Sequence, residues 1–282
     1  FYNYFILFFL AFIWGSSFIL MKKGLVAFTD QQVAALRLFI AFLTLLPFLF
    51  IAIKDLRKTQ IIPLLIIGLF GNGLPAFLFS KAQTTLDSSF VGILNSLTPI
   101  FTLLVGIVIF GKKISIQKFI GVLIGLFGVL FLYFSSMKIN EINYAIFLVI
   151  LATICYSISI HVIKIYTTNL DAISIASIAF AFIGPFAGIY LFSTDFLEII
   201  ISDIGIQSFF YVCILATVCT SFALVVFNGL IKKTSAIFAS SVTYLIPLVA
   251  LFWGLLDKET IKLFHLIGIL IILQGVYLVT KE

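Results

Sequence analysis

Two stripes of polar residues lie within apolar segments, and these are the groups best suited to bind a small molecule. In the first stripe, Asn95, Thr98 and Thr102 are spaced i, i+3 and i+7, which places them on one face of a helix. The second stripe has similar spacing and consists of Ser240, Thr243, Tyr244 and Pro247. Beside a proline, which frees backbone carbonyls, such groups could line a central cavity. The alternative is that they only hydrogen-bond neighbouring helices.

The two stripes belong to a duplicated unit. Pro99 and Pro247 are 148 residues apart, and the same shift aligns Asn95 with Thr243. Each copy continues into a segment marked by small residues, namely Gly121, Gly125 and Gly128 in the first and Gly268 and Gly275 in the second. Repeats in an apolar chain are typical of transporters that bind their substrate between two halves. The glycines allow close helix contact, either within one chain or in a homodimer.

Two ionisable residues inside apolar segments could take part in binding or coupling. His161 shares a helical face with Ser157, so we expect it either to take part in proton coupling or to be hydrogen-bonded and inert. Arg37 is expected to reach water or to pair with Asp30 or Asp87. The alternative role for Arg37 is to bind the carboxylate of a substrate.

An aromatic and amide set completes the candidate site. Trp14 lies beside a small-residue step that could form a cavity wall, and Tyr156 is its counterpart in the second copy. The predicted substrate-binding residues are Trp14, Asn95, Pro99, Tyr156, His161, Asn228, Thr243, Tyr244 and Pro247. The sequence has no phosphate-binding loop, no HExxH motif and no clustered His or Cys ligands. We therefore predict no catalytic residue, no cofactor and no metal.

The composition indicates what must position these residues. The chain of 282 residues is 63% hydrophobic and only 10% charged, whereas soluble domains carry about 25% charged residues. The sequence therefore predicts an all-α, polytopic membrane protein whose partners are the lipid bilayer and a small-molecule substrate. The net charge of +6 is explained by basic loops between spans, so no nucleic-acid partner is expected.

Ten transmembrane helices are predicted from the length of the apolar runs. They cover about 4–22, 32–53, 61–82, 88–110, 116–135, 143–164, 172–193, 206–231, 236–256 and 262–280. The duplication divides them into a first five-helix repeat at 1–135 and a second at 143–282. Because five is odd, the second repeat must enter the membrane in the opposite sense, which makes the repeats inverted.

The distribution of basic residues predicts that both termini are cytoplasmic. With the N-terminus inside, the cytoplasmic loops contain Lys54, Arg57, Lys58, Lys112, Lys113, Lys118, Lys164, Lys232, Lys233 and Lys281. The opposite loops contain Lys22, Lys23, Lys81, Lys138, Lys258 and Lys262. The larger cytoplasmic set satisfies the positive-inside rule.

Ordered motifs run along essentially the whole chain. They are Phe12-Ile13-Trp14-Gly15-Ser16-Ser17, Ala35-Leu36-Arg37-Leu38, Leu97-Thr98-Pro99, Leu245-Ile246-Pro247, Glu259 and the paired glycines. Together they resemble the EamA type of the drug/metabolite transporter superfamily. Two positions depart from the family pattern: Lys112 stands where the first half would carry a glutamate like Glu259, and Tyr156 replaces a second Trp14.

The resemblance implies a function. It implies a secondary transporter that exports small organic metabolites, such as amino acids or related compounds, from a prokaryotic cell across its cytoplasmic membrane. The two repeats would rock about a shared site and expose it alternately to each side. A membrane-embedded enzyme and a non-transporting receptor or scaffold are the alternatives, and the enzyme would need a catalytic cluster that the sequence does not contain.

Overall fold

The computed structural model describes residues 2–111, 115–136, 144–260 and 262–280, and every regular element within these ranges is helical. The α-helices are α1 (Tyr2–Gly24), α2 (Asp30–Ala52), α3 (Ile61–Gly68), α4 (Leu74–Ala82), α5 (Ser88–Asn95), α6 (Thr98–Val108), α7 (Ile116–Ser136), α8 (Tyr144–Tyr166), α9 (Ala172–Phe192), α10 (Phe196–Ile200), α11 (Asp203–Ala216), α12 (Ala223–Lys233), α13 (Ala236–Ser240), α14 (Ile246–Leu256) and α15 (Leu263–Thr280). The all-helical prediction is therefore confirmed.

Eight helical segments are long and apolar enough to cross a membrane. They are Tyr2–Gly24, Asp30–Ala52, Lys58–Ala82, Ser88–Val108, Tyr144–Tyr166, Ala172–Phe192, Asp203–Lys233 and Ala236–Leu256. Two shorter apolar stretches lie in α7 and α15, at Ile116–Leu132 and Leu263–Leu278. Such helices satisfy their own backbone hydrogen bonds inside hydrocarbon, so the chain is a multi-pass membrane protein.

The two predicted proline sites interrupt their spans. One span is broken between α5 and α6, and Pro99 lies in the first turn of α6. The other is broken between α13 and α14 by a 3₁₀ turn, Ser241–Tyr244, and Pro247 lies in the first turn of α14. Proline is tolerated there because the first N–H groups of a helix have no helical partner. By contrast, α9 is continuous through Pro185.

Two further irregularities repeat at the same distance along the chain. A π-helical turn, Leu69–Gly73, joins α3 to α4, and another, Thr217–Phe222, joins α11 to α12. Their first residues are 148 positions apart, the spacing that also separates the two prolines. A π turn widens the helix and redirects the side chains that follow it, and such turns are frequent at functional sites. The sequence analysis did not predict them.

The glycine segments pack against each other within the chain. A Cβ on Gly275 would overlap the backbone of Gly121 and Gly125, and a Cβ on Gly268 would overlap the side chain of Leu132. Helices α7 and α15 can approach this closely because glycine has no side chain at the contact. Of the two uses that the sequence left open for these glycines, the structure shows the one inside the monomer.

The bundle has two ends, and α1 runs from one to the other. Lys233 near the end of α12 lies over the ring of Tyr2, at the start of α1. At this end Lys164 Nζ donates to the carbonyl oxygens of Ile231, Lys232 and Thr234, at 3.1, 3.0 and 2.5 Å. A cation at the C-terminus of α12 satisfies carbonyls that have no helical partner. We call this the Lys164 end.

The opposite end is held by a buried carboxylate. Glu259, whose side chain is 1% exposed, accepts hydrogen bonds from Ser88 N (3.0 Å), Ser88 Oγ (2.6 Å) and Ser89 N (3.0 Å) at the N-terminus of α5. Lys22 Nζ lies 2.8 Å from both Glu259 and Asp257, and Lys23 also pairs with Asp257. We call this the Glu259 end.

Electrostatics stabilise the charged form of both carboxylates at the Glu259 end. Burial favours the neutral acid, but hydrogen bonds from Lys22, Ser88 and Ser89 outweigh it and lower the pKa of Glu259. Lys22 and Lys23 outweigh burial in the same way and lower the pKa of Asp257. Burial, with the nearby Glu259 charge, instead raises the pKa of Asp87. The network therefore contains two carboxylates that are ionised at neutral pH.

Candidate functional site

A cavity of about 90 Å³ lies inside the bundle. It has room for several water molecules, but it is smaller than the roughly 300–1,000 Å³ of most ligand pockets. Most of its wall is apolar. Its polar lining residues are Ser17, Arg37, Asn72, Asn95, Thr98, Tyr156, Ser159, Asn228, Ser240 and Thr243. Burying polar groups among membrane-spanning helices costs free energy, so their presence in the cavity wall marks a candidate site for binding or transport.

The cavity lies where the helices are irregular. The first π turn contributes Gly71 and Asn72 to its wall, and the second contributes Cys219. The broken span of α5 and α6 contributes Asn95 and Thr98, one on each side of the break. Because these turns release backbone groups and turn side chains inward, they concentrate polar atoms that a straight apolar helix could not present.

Five of the nine residues predicted to bind substrate line this cavity. They are Trp14, Asn95, Tyr156, Asn228 and Thr243. Asn95 and Thr243 are the pair related by the 148-residue shift, so both copies of the repeated unit reach the same space. The structure thus brings together residues from α1, α5, α8 and α12 and from the 3₁₀ turn before α14.

Two aromatic residues of the cavity wall are held by specific contacts. Trp14 donates from Nε1 to the Cys219 carbonyl at 2.9 Å, and its ring meets Phe227 edge to face with centroids 4.8 Å apart. Tyr156 stacks on Phe79 with centroids 5.7 Å apart. The Trp14 bond satisfies a carbonyl inside the second π turn, so the same contact fixes the turn and the wall.

Two asparagines present polar atoms without partners. Asn95 is 5% exposed and Asn228 is 2% exposed. Among the described residues, neither side-chain oxygen has a hydrogen-bond donor. Asn228 Nδ2 donates to the Ala172 carbonyl at 3.4 Å, which fixes the orientation of that amide. Buried acceptors are normally satisfied, so these two oxygens are available for a ligand or for water.

Four predicted residues lie outside this cavity. Pro99 and Pro247 shape the helix breaks but do not line the cavity. Tyr244 points away from it and donates to the Val276 carbonyl of α15 at 2.7 Å. The 3₁₀ turn rotates successive residues by more than an α-helix would, so Thr243 faces the cavity while its neighbour does not.

His161 is the fourth of these residues. It is 1% exposed and lies against α6, with Nε2 2.8 Å from the Thr102 carbonyl and its ring 4.9 Å from that of Phe110. Thr102 also donates to Ser157 at 3.3 Å. The polar stripe therefore divides: Asn95 and Thr98 line the cavity, whereas Thr102 and His161 hold α6 and α8 together.

Arg37 does not have the acidic partner that the sequence suggested. Its Nε donates to Thr220 Oγ1 at 2.8 Å, and Thr220 donates in turn to the Leu215 carbonyl across the second π turn. Asp30 instead lies 3.8 Å from Lys81, and Asp87 interacts with the charges of the Glu259 end. Arg37 thus lines the cavity from α2, held by a neutral hydroxyl.

Several lining residues were not predicted from the sequence, among them Asn72 and Ser159. An asparagine between two glycines in the middle of an apolar span is a usable signal for Asn72, because Gly71 and Gly73 flank it. Ser159 offers no such signal. It lies opposite Gly71, where a Cβ would overlap its hydroxyl, and only packing reveals that contact.

Known proteins of similar sequence are transporters by name. The uncharacterized transporter YoaV of Bacillus subtilis is 27% identical over 95% of this chain and 93% of its own length. The uncharacterized inner membrane transporter YedA of Escherichia coli K12 is 24% identical over 97% of this chain and 89% of its own length. An uncharacterized transporter of Archaeoglobus fulgidus is 24% identical over 95% of both chains.

The fold is also shared with a solved structure. A crystal structure with 14% identical residues superposes with a TM-score of 0.67, covering 99% of this chain and 96% of the other. At that identity the likeness concerns the fold alone. The family model for EamA-like transporters matches the sequence twice, at residues 2–134 and 143–281. Since these matches cover nearly the whole chain, the protein belongs to the EamA-like transporter family of the drug/metabolite transporter superfamily.

Proposed function

We propose that this protein is a secondary transporter that exports small organic metabolites, such as amino acids or related compounds, across the cytoplasmic membrane of a prokaryote. The observation that carries the proposal is the buried polar cavity between the two π turns. Its wall carries the guanidinium of Arg37, amide oxygens and hydroxyls, whereas the helices around it are mostly apolar. Family membership supports a transport role for it.

The mechanism that we propose is alternating access by two inverted five-helix repeats. The double match of the family model and the 148-residue spacing of prolines and π turns support the repeat. The Glu259 end joins α1 and α5 of the first half to the loop after α14 in the second. Its ion pairs would have to separate when that end opens, while the contacts of Lys164 would separate when the other end opens.

We propose that the Lys164 end and both termini are cytoplasmic. The excess of basic residues in the loops of that end supports this orientation. A membrane-impermeant maleimide should therefore label Glu198→Cys in intact cells and label Lys54→Cys only after the cells are opened. Both positions are exposed, so each cysteine can react. Labelling of Lys54→Cys in intact cells would contradict the orientation.

The direct test of the function is flux in proteoliposomes. The purified protein should accelerate counterflow of at least one amino acid or related metabolite above protein-free vesicles, with and without an imposed pH gradient. Vesicles loaded with a panel of candidates identify the substrate class. If the folded, reconstituted protein moves no compound of the panel while ligands still quench Trp14 fluorescence, it binds without transporting, and the proposal fails.

Asn95→Leu and Tyr244→Phe should have opposite consequences. Asn95→Leu removes a cavity acceptor, so we expect flux to fall by about tenfold or more, as for loss of a hydrogen bond worth about 1–3 kcal/mol, with little change in Tm. Tyr244→Phe removes the bond from the hydroxyl to the Val276 carbonyl, outside the cavity, so we expect a lower Tm and near-normal flux. Flux assays and thermal unfolding in detergent check both. Equal flux in the two variants would show that Asn95 merely packs helices.

A further inference from the structure

We infer that Arg37 is the anchor for a substrate carboxylate, so that the transported compounds are small monocarboxylates rather than neutral molecules or phosphates. The inference rests on the proposed function, because it assigns a chemical class to the same cavity. It begins from the position of Arg37, which is the one charged residue among those described that line the cavity.

No described carboxylate neutralises this charge. Within the described residues, Arg37 has no carboxylate oxygen within ion-pair distance, and its hydrogen-bond partners are two neutral groups, the hydroxyl of Thr220 and the phenol of Tyr156. The Tyr156 side chain also interacts with the guanidinium, but a phenol is neutral at physiological pH. Arginine stays protonated under all ordinary conditions, so the cavity carries a positive charge.

Three other cations in or near the spans have partners that Arg37 lacks. Lys22 and Lys23 meet carboxylates, and Lys164 meets three carbonyl oxygens. Among the described cations, Arg37 alone combines a position on the cavity with partners that are neutral hydroxyl groups. An uncompensated charge between membrane-spanning helices is expensive, and it persists where a charged ligand supplies the missing partner.

The free part of the guanidinium matches a carboxylate. Nε is bound to Thr220 and the Tyr156 phenol also meets the guanidinium. A guanidinium has five N–H donors, so terminal N–H groups remain to donate, and paired N–H groups bind the two oxygens of a carboxylate side by side. A phosphate carries close to two negative charges at neutral pH, and the cavity offers it one cation. The charge count therefore favours a monoanion.

The unpartnered amide oxygens are a second, independent observation. Asn95 and Asn228 are nearly fully buried and line the same cavity, and neither side-chain oxygen has a donor among the described residues. A ligand that satisfies them brings N–H or O–H groups. The cavity thus offers a cation and separate acceptors, which complement a compact molecule with a carboxylate and a hydrogen-bond donor. The volume of about 90 Å³ limits such a molecule to a small size unless the walls move.

The test compares acids with their amides. Binding is measured by Trp14 fluorescence and by calorimetry on the purified full-length protein, in a Trp253→Phe background that leaves Trp14 as the reporter. The pairs are propionate and propionamide, alanine and alaninamide, and leucine and leucinamide. The wild type should bind the acids about 10- to 100-fold more tightly than the amides, as expected for a charge-assisted hydrogen bond.

Variants at position 37 test whether Arg37 causes the preference for acids over amides. Arg37→Gln should bind acid and amide equally while keeping the amide affinity, and Arg37→Lys should retain part of the preference because it keeps the charge without the paired donors. The matched control is Lys81→Gln, since Lys81 is exposed and pairs with Asp30 outside the cavity. It should behave as the wild type. Unchanged acid preference in Arg37→Gln would overturn the inference.

The remaining outcomes separate the inference from the proposed function. Equal binding of acids and amides by the wild type, no binding of any acid in the panel, or tighter binding of methylphosphonate than of acetate would each overturn the inference, even if flux is observed. Acid-selective binding lost in Arg37→Gln, without flux in proteoliposomes, would support the anchor and reject transport. If Arg37→Gln does not fold, the wild-type comparison and Arg37→Lys decide.

Discussion

Replacing Glu259 with alanine should destabilise the protein more than any other single charge removal described here. The change deprives Ser88 N, Ser88 Oγ and Ser89 N of their acceptor and removes one partner of Lys22. Leaving buried donors and a charge unsatisfied costs about 3 kcal/mol, and in a chain of this size that corresponds to a fall of about 5 °C in Tm. Thermal unfolding in detergent measures it.

Two control variants distinguish the loss of the Glu259 hydrogen bonds from a general effect of net charge. Asp257→Asn should cost less than Glu259→Ala, because Asp257 is more exposed and contacts only lysines. Glu198→Gln, at an exposed position without an ion pair among the described residues, should leave Tm unchanged. Equal losses in all three variants would show that net charge, rather than the bonds to α5, sets the stability.

The same carboxylate predicts how stability depends on pH. The pKa of Glu259 in the folded protein lies below its ordinary value of 4.5, so the folded state binds this proton less readily than the unfolded chain does. Its contribution to stability is therefore complete above pH 4.5 and is lost as pH falls through the lowered, folded-state pKa. The wild type should lose Tm over that acidic range more steeply than Glu259→Gln. Parallel curves for the two proteins would rule out this contribution.

Filling the cavity should reduce transport strongly while the fold survives. Ala176 is 4% exposed and lines the cavity from α9, so the ring of Ala176→Phe would occupy the space that a substrate needs. Displacing it would cost about 1–3 kcal/mol, so flux should fall by about tenfold or more. Ligand quenching of Trp14 fluorescence should weaken in parallel.

The matched control adds the same ring to the same helix on its outer face. Ile173 is 37% exposed and does not line the cavity, so Ile173→Phe should keep wild-type flux. Tm measurements on both variants show whether either unfolds. Normal flux in Ala176→Phe would mean that the transported compound takes another path, whereas loss of flux in both would indicate that α9 tolerates no added bulk.

Several features of the fold follow from local chemistry and were predictable. Apolar runs of about 20 residues must form helices in a bilayer, because only a helix satisfies its own backbone there. Proline in a helix lacks the N–H that bonds the preceding turn, so breaks beside Pro99 and Pro247 were expected, although α9 continues through Pro185. The glycines of α7 and α15 predicted a close helix contact, although the sequence did not identify the partner helix.

The candidate site was only partly predictable, and Thr243 and Tyr244 show why. The two residues are neighbours in the sequence, yet one lines the cavity and the other bonds α15. In a soluble protein the apolar stripe identifies the buried face of a helix. Here lipid is as apolar as the interior, so hydrophobic periodicity does not distinguish the two faces. The π turns removed the remaining regularity by shifting side chains out of the 3.6-residue pattern.

By itself, the sequence determined the membrane environment, the helical fold, the internal similarity and the two helix breaks, since each depends on composition or on residues close together in the chain. The tertiary structure decided which polar groups meet. Glu259 binds Ser88, 171 residues away, and Arg37 binds Thr220, 183 residues away. Such partners are selected by the packing of whole helices, whose interfaces in lipid depend on shape and hydrogen bonding rather than on hydrophobicity. Only the packed bundle could therefore show that Arg37 faces the cavity without an acidic partner among the described residues.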